Sequence, residues 1–274
     1  MKSPLAVSTN TAASGPETNG RSDAGPFSLV GETAVVTGGG TGLGLGIARA
    51  FVAAGAQVVL VGRRAEILSQ SAADLGENAT WEVHDVTLHE EHGELVQRIV
   101  DRVGSPTILV NNAGIHLKKL AVEMSAAEFA EVLQTNLIGA FSMSQAVLPG
   151  MIQRGRGNVL FVASMASLIG LPKVSAYSAA KAGIVGLVRS LAAEASPGGV
   201  RVNAIAPGWI ESDMLRNSMS GDPEREAKVI ARTPLNRFGA PEDVGLAATF
   251  LCSTAAKFIT GVVLPVDGGA SIGF

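Results

Sequence analysis

Thr33-Ala34-Val35-Val36-Thr37-Gly38-Gly39-Gly40-Thr41-Gly42-Leu43-Gly44 is the stretch that decides how this chain is read. Its first five residues form a short apolar run suited to a strand. The glycines mark a tight turn, and helical periodicity continues to Ala54. Glycines placed here let main-chain amides approach a pyrophosphate, and a helix N-terminus adds partial positive charge. A structural turn uses glycine too, but this one lies between a strand and a helix, which favours dinucleotide binding. The spacing is TGxxxGxG rather than GxGxxG.

Outward from this unit the same alternation repeats. Thr33–Thr37, Gln57–Val61, Thr80–Val83, Thr107–Asn111, Asn158–Ala163, Val200–Ala206 and Val262–Val266 read as strands, most of them apolar almost throughout. Strands covered on both faces have that composition. Gly42–Ala54, Ala65–Leu75, Glu90–Val103, Ala126–Ile152, Val174–Ala195 and Pro241–Cys252 read as helices, the last opened by Pro241 with Glu242 and Asp243. Repeated βα units of this kind predict an α/β fold around a parallel sheet. Residues 1–26 carry almost no large apolar side chains and read as a disordered tail, leaving 27–274 as a single domain.

Composition narrows the function classes. With 47% hydrophobic and 16% charged residues over 274, the chain affords a sizeable core, which excludes wholesale disorder. A formal charge of −3 gives nothing to draw it to nucleic acid or to an anionic membrane. The uncharged run Val132–Gln153 is interrupted by Gln134, Thr135, Asn136, Gln145 and Pro149, so it reads as a helix buried in protein. The single Cys252, in the apolar stretch Leu246–Cys252, excludes an intramolecular disulfide and reads as a core residue of a cytoplasmic protein.

Six short motifs then occur in a telling order: the glycine turn from Thr37 to Gly44, Asn111-Asn112-Ala113-Gly114, Asn136, Ser164, Tyr177-Ser178-Ala179-Ala180-Lys181 and Pro207-Gly208. Together they resemble the short-chain dehydrogenase/reductase family over roughly residues 27–274. The resemblance implies a Rossmann-type, doubly wound, seven-stranded parallel sheet flanked by helices, NAD(P)-dependent carbonyl/alcohol chemistry on a small-molecule substrate, and a homotetramer. The residues themselves support the chemistry. Tyr177 and Lys181 stand i, i+4 on a helix and share a face. A phenol with a pKa near about 10 becomes useful at neutral pH when a lysine ammonium and an oxidised nicotinamide stabilise its anion. It then serves as general acid or base beside hydride transfer.

The resemblance assigns further roles. Ser164 holds the substrate oxygen, with Ser167 as a neighbouring hydroxyl that suits a turn. Lys181 also binds the nicotinamide ribose, and Asn136 interrupts its helix and holds a water in a proton relay. Thr37, Gly38, Gly40, Thr41, Gly42, Leu43 and Gly44 take the pyrophosphate side, Asp85 and Val86 the adenine, and Asn112, Ala113 and Gly114 the adenosine ribose. Pro207, Gly208 and Ile210 follow the sixth strand, and Ser212 is the nearest hydroxyl for the carboxamide. His84, His89 and His92 lie among acids, but read as the polar face of a helix rather than a metal site. His116 is either a loop histidine or a substrate contact.

Cofactor choice is read after the second strand, where an acid would bind the ribose hydroxyls of NAD. Here Val61 is followed by Gly62-Arg63-Arg64, which favours the 2′-phosphate of NADP, with Arg63 the stronger candidate and NAD also open. Segments such as Leu171–Val174, Arg232–Leu235 and Val263–Gly269 resemble gluconate 5-dehydrogenases and related sugar-acid enzymes. The alternative is a 3-oxoacyl-carrier-protein reductase, for which Arg154 and Arg156 could dock an acidic carrier, although Gly198 stands where those reductases often carry Arg. A non-catalytic cofactor-binding protein is disfavoured because both Tyr177 and Lys181 are present.

Overall fold

The computed structural model describes residues 25–212, 215–216 and 222–272. Seven strands, β1 (Thr33–Thr37), β2 (Gln57–Gly62), β3 (Ala79–Val83), β4 (Ile108–Asn111), β5 (Gly157–Val162), β6 (Val200–Pro207) and β7 (Val263–Val266), pair in parallel in the order β3-β2-β1-β4-β5-β6-β7. Each lies within one residue of the range expected from sequence. The order reverses between β1 and β4, so the crevice outside the C-terminal strand ends opens there.

Helices α1 (Gly42–Ala53), α2 (Ala65–Leu75), α3 (His92–Val103), α4 (Ala126–Leu133), α5 (Gly139–Gln153), α6 (Ser175–Ala195), α7 (Pro223–Ala231) and α8 (Pro241–Cys252) make the crossovers and flanking layers. Because strand side chains alternate, the sheet feeds two cores. Val35, Leu109, Val159 and Phe161 pack with Leu95 of α3, Met143 of α5 and Val188 of α6. Val36, Leu60, Val110 and Leu160 pack with Phe51 of α1, Leu68 of α2 and Val244 of α8. Burying each large side chain of this kind stabilises the fold by about 1.5–3 kcal/mol.

Four local expectations change. The single helix expected over Ala126–Ile152 is α4 and α5 joined by a π-helical turn, Gln134–Ile138, with Asn136 buried inside it. No described helix is long and apolar enough to cross a membrane. Helix α7 was not expected, because its sequence is largely polar and Val229 alone is buried. His89–Glu91 forms a separate 3-10 turn before α3. The expected tail, residues 1–26, lies outside the described residues except Gly25 and Pro26. The Pro26 carbonyl accepts from the Ala255 amide at 2.9 Å and from Thr254 Oγ1 at 3.1 Å, so Pro26 is bonded to the domain.

Candidate active site

At the switch point the strand ends frame a cleft of about 490 Å³. One half begins at the glycine turn. Gly38 has φ +63, and a Cβ there would lie 2.9 Å from Asn112 Nδ2, so the turn needs glycine both for its backbone angle and for its neighbour. Thr41 caps α1 with no side-chain hydrogen bond, and the first turn of α1 carries no acid, which leaves main-chain donors beside the cleft. Gly38, Gly40, Thr41, Gly42 and Leu43 line it, as do Asn112, Ala113 and Gly114. Arg63, Asp85 and Val86 close its far end. This donor set suits a dinucleotide: uncapped helix amides for a pyrophosphate, and guanidinium groups where an adenosine would end.

Several residues expected to bind cofactor brace the surrounding main chain and are not among those lining the cleft. Thr37 is buried, and its hydroxyl donates to the Val110 carbonyl (3.2 Å) while accepting from the amides of Asn112 (3.0 Å) and Ala113 (3.1 Å). It ties β1 to the end of β4. Gly44 lets α1 approach, since a Cβ would meet the Gly38 carbonyl oxygen at 2.2 Å and Asn112 Nδ2 at 2.6 Å. Buried Pro207 ends β6, the Gly208 amide donates to the Val266 carbonyl, and Ile210 belongs to the core. Ser212 does line the cleft, and its hydroxyl accepts from the Leu215 amide at 3.1 Å.

Arg63 Nη1 lies 3.7 Å from Asp85 Oδ2, with the guanidinium side chain 69% exposed. Burial pushes the Asp85 carboxyl up, but the Thr87 amide and hydroxyl together with Arg63 outweigh it and hold the group below its ordinary value. Asp85 is therefore ionised and already engaged with Thr87, and its contact to Arg63 is long.

The other half is built on α6. Tyr177 and Lys181 both line the cleft one helical turn apart. Lys181 is buried and donates to the Val162 carbonyl at 2.7 Å, with its Nζ 5.6 Å from the Tyr177 ring centre. Burial pulls its pKa down to about 8. Burial raises the Tyr177 phenol, and a hydrogen bond with Ser164 offsets part of the rise. In the protein by itself, desolvation of the ring outweighs the Ser164 hydrogen bond, so the phenol stands above its ordinary value.

Ser164 caps the 3-10 turn Met165–Ser167 by accepting from the Ala166 amide at 3.1 Å, which leaves its own O–H to donate. Ser167 is already spent, donating to the Ser164 carbonyl at 2.6 Å. Asn136 sits in the π-helical turn and clamps Ile115, accepting from its amide (2.7 Å) and donating to its carbonyl (2.9 Å). Its side chain thus faces the loop after β4.

The histidines are not a polar helix face. His84 and His92 are buried, with ring centres 5.0 Å apart and His89 5.7 Å from His92, and His92 Nδ1 meets Ser142 Oγ at 3.0 Å. Among the described residues no group of three side chains converges as metal ligands. Cys252 is buried, its thiol pushed up to about 12, and belongs to the core. His116, left open by the sequence, stands in the cleft with its ring centre 5.0 Å from that of Tyr177. Arg154 and Arg156, just before β5, lie at the N-terminal ends of the strands, away from the cleft, where Arg154 donates to the Pro106 carbonyl before β4 and Arg156 faces Glu32 before β1.

A family profile described as enoyl-(acyl carrier protein) reductase matches residues 38–271. The chain is 39% identical over 247 residues to 2-(S)-hydroxypropyl-CoM dehydrogenase 3 of Xanthobacter autotrophicus, covering 88% of this chain and 97% of that one. It is 38% identical over 245 residues to a 3-oxoacyl-[acyl-carrier-protein] reductase of Chlamydia muridarum, covering 88% and 98%. Among solved structures, a gluconate 5-dehydrogenase from Burkholderia cenocepacia in complex with NADP and tartrate superposes with a TM-score of 0.87 at 33% identity, covering 91% and 98%.

Proposed function

The chain belongs to the short-chain dehydrogenase/reductase family and is an NAD(P)-dependent oxidoreductase. On that premise we propose that it interconverts a ketone and a secondary alcohol on a sugar acid or polyol, with NADP preferred. The observation that carries the reaction is the placing of Tyr177 and Lys181 on one face of α6 in the cleft that begins at the glycine turn. A bound dinucleotide would be held by the α1 amides, Arg63, Asn112 and Lys181 and would supply the hydride donor or acceptor.

The chain's own residues handle the proton and the oxygen. Ser164, its oxygen already accepting from the Ala166 amide, donates its O–H to the substrate oxygen and polarises the carbonyl. Tyr177, kept protonated by burial, gives its phenolic proton to that oxygen as negative charge develops in reduction, and takes it back in oxidation. The Lys181 ammonium, anchored on the Val162 carbonyl, favours the phenolate once the proton has left. Asn136 is a positioning residue, fixing the Ile115 main chain along the cleft.

Two observations favour the small polyhydroxylated substrate. The C-terminal segments resemble sugar-acid enzymes, and the two arginines suited to carrier docking lie away from the cleft. A panel of sugar acids, polyols and 3-oxoacyl thioesters, each assayed with NADP and NAD, tests the reading. Turnover of a sugar acid or polyol with the higher kcat/KM is expected. Turnover confined to the thioesters overturns the substrate class while leaving the reaction type intact.

A further inference from the structure

Close in the chain to the cleft residues His116 and Tyr177 stand two cations that the reaction itself does not require. Lys118 follows His116 by two residues, and the Lys119 amide donates to the Lys173 carbonyl at 2.8 Å. That bond stitches the loop after β4 to the loop that leads into α6, so Lys118 and Lys173 come from two adjacent strips of chain, one meeting Tyr177 through His116 and the other running into α6. Lys119 is neutralised by Glu128, whose two carboxylate oxygens lie 2.7 and 2.9 Å from its Nζ. Neither Lys118 nor Lys173 has a carboxylate at ion-pair distance among the described residues.

Lys173 adds an independent observation. Its φ is +67, in the left-handed region that a residue with a Cβ disfavours and where glycine would be unstrained. Lys173 thus holds a disfavoured backbone conformation on the approach to the candidate catalytic helix, where glycine would relieve it. The local field agrees. Partial burial and the charges of Arg225 and Lys173 hold Lys118 below its ordinary value, against Asp222 acting the other way. Partial burial, with Lys118 and Arg225, likewise holds His116 below the usual imidazole range, so at neutral pH its ring is an uncharged hydrogen-bonding group. A rim of one sign beside a cleft concentrates ligands of the opposite sign.

We infer that the substrate carries an anionic group remote from its reacting carbon, that Lys118 and Lys173 receive this group at the rim, and that His116 hydrogen-bonds a hydroxyl of the chain between. This rests on the reading of Tyr177 as the acid and base, and it makes the two lysines specificity-determining residues. An acidic carrier protein would meet the same charges, but a single anionic group beside Tyr177 needs only the rim itself.

The test compares a sugar acid with the neutral polyol or keto sugar of equal carbon count, in wild type, Lys118→Ala, Lys173→Ala, the double variant and Lys173→Gly. For the acid, KM in the double variant rises about tenfold, the effect of losing one charge-assisted contact, and the kcat/KM ratio of acid to neutral compound falls by the same factor. Added salt raises KM for the acid in wild type and much less in the double variant. Lys173→Gly raises Tm by releasing the backbone while lowering that ratio, a combination that a purely structural lysine does not produce. An unmoved ratio overturns the inference, and turnover in those variants still abolished by Tyr177→Phe shows that the reaction reading survives. Activity only on a 3-oxoacyl chain borne by an acidic carrier, slowed by the same substitutions, overturns the small anion in favour of protein docking.

Discussion

In the nucleotide half of the cleft the main chain is braced before any ligand arrives. One hydroxyl, that of Thr37, serves Val110, Asn112 and Ala113, the Asn112 amide group donates to the Thr37 and Gly38 carbonyls, and Gly44 brings α1 within contact of both. In the substrate half, Ser164, Tyr177, His116 and Lys173 come from separate segments, and two of the cations at its rim have no described acidic partner. The first half is stiffened by hydrogen bonds between strand ends, as a site for a cofactor of constant shape should be. The second bonds its polar groups to one another and to their own turns rather than between strand ends, so its specificity can change without disturbing the sheet.

The largest effect that separates the halves is chemical. Tyr177→Phe keeps the ring and removes the proton, so kcat should fall by roughly 10²–10⁴-fold with little change in cofactor affinity measured by fluorescence titration. Near-normal turnover would break the assignment of the substrate half. Gly44→Ala strikes the braced half instead. Its methyl group meets the Gly38 carbonyl oxygen, so denaturant unfolding should show a loss of about 1–3 kcal/mol, together with weakened cofactor binding. Unchanged stability would show that α1 has room to move and that the half is less rigid than its contacts indicate.

Lys181 joins the two halves, and pH separates its roles. Its pKa of about 8 lies below the ordinary 10.5, so the native protein releases this proton before the unfolded chain does. Between those values the unfolded state binds more protons, and this group's contribution to stability rises with pH. Cofactor affinity should move the other way, falling as pH climbs through about 8 and the ammonium is lost. Affinity and Tm recorded together across pH 7–10 distinguish this from unfolding, and Lys181→Met should remove the step. The smallest expected effect is Arg63→Ala. With an exposed guanidinium, the preference for NADP over NAD should drop about tenfold, the low end for a charge-assisted contact. A wild-type protein that favours NAD would show that Asp85 holds Arg63 away from the phosphate.

How much of this was legible in the sequence follows from how local each feature is. The seven strands were readable because parallel strands buried on both faces are continuous apolar runs, and Tyr177 with Lys181 because i, i+4 is a property of any helix. Helix α7 was not, since a polar nine-residue segment with one buried side chain leaves little periodicity to detect. The histidines at 84, 89 and 92 looked like a solvated face because their acidic neighbours in sequence gave no sign of α5, whose Ser142 meets His92.

By itself the sequence determined the βα order, the turn that needs glycine, the family and the residues able to move a proton, all of which depend on neighbours within a few positions. Only the tertiary structure decided that Thr37 ties β1 to the end of β4, that Asn136 turns to Ile115, that Arg154 and Arg156 stand at the N-terminal ends of the strands, and that the loop carrying Lys118 is bonded to the loop carrying Lys173. Hydrogen-bond partners and electrostatic fields depend on distances in space. Those distances are fixed when the crossovers close and bring residues such as Lys119 and Lys173 together from separate loops.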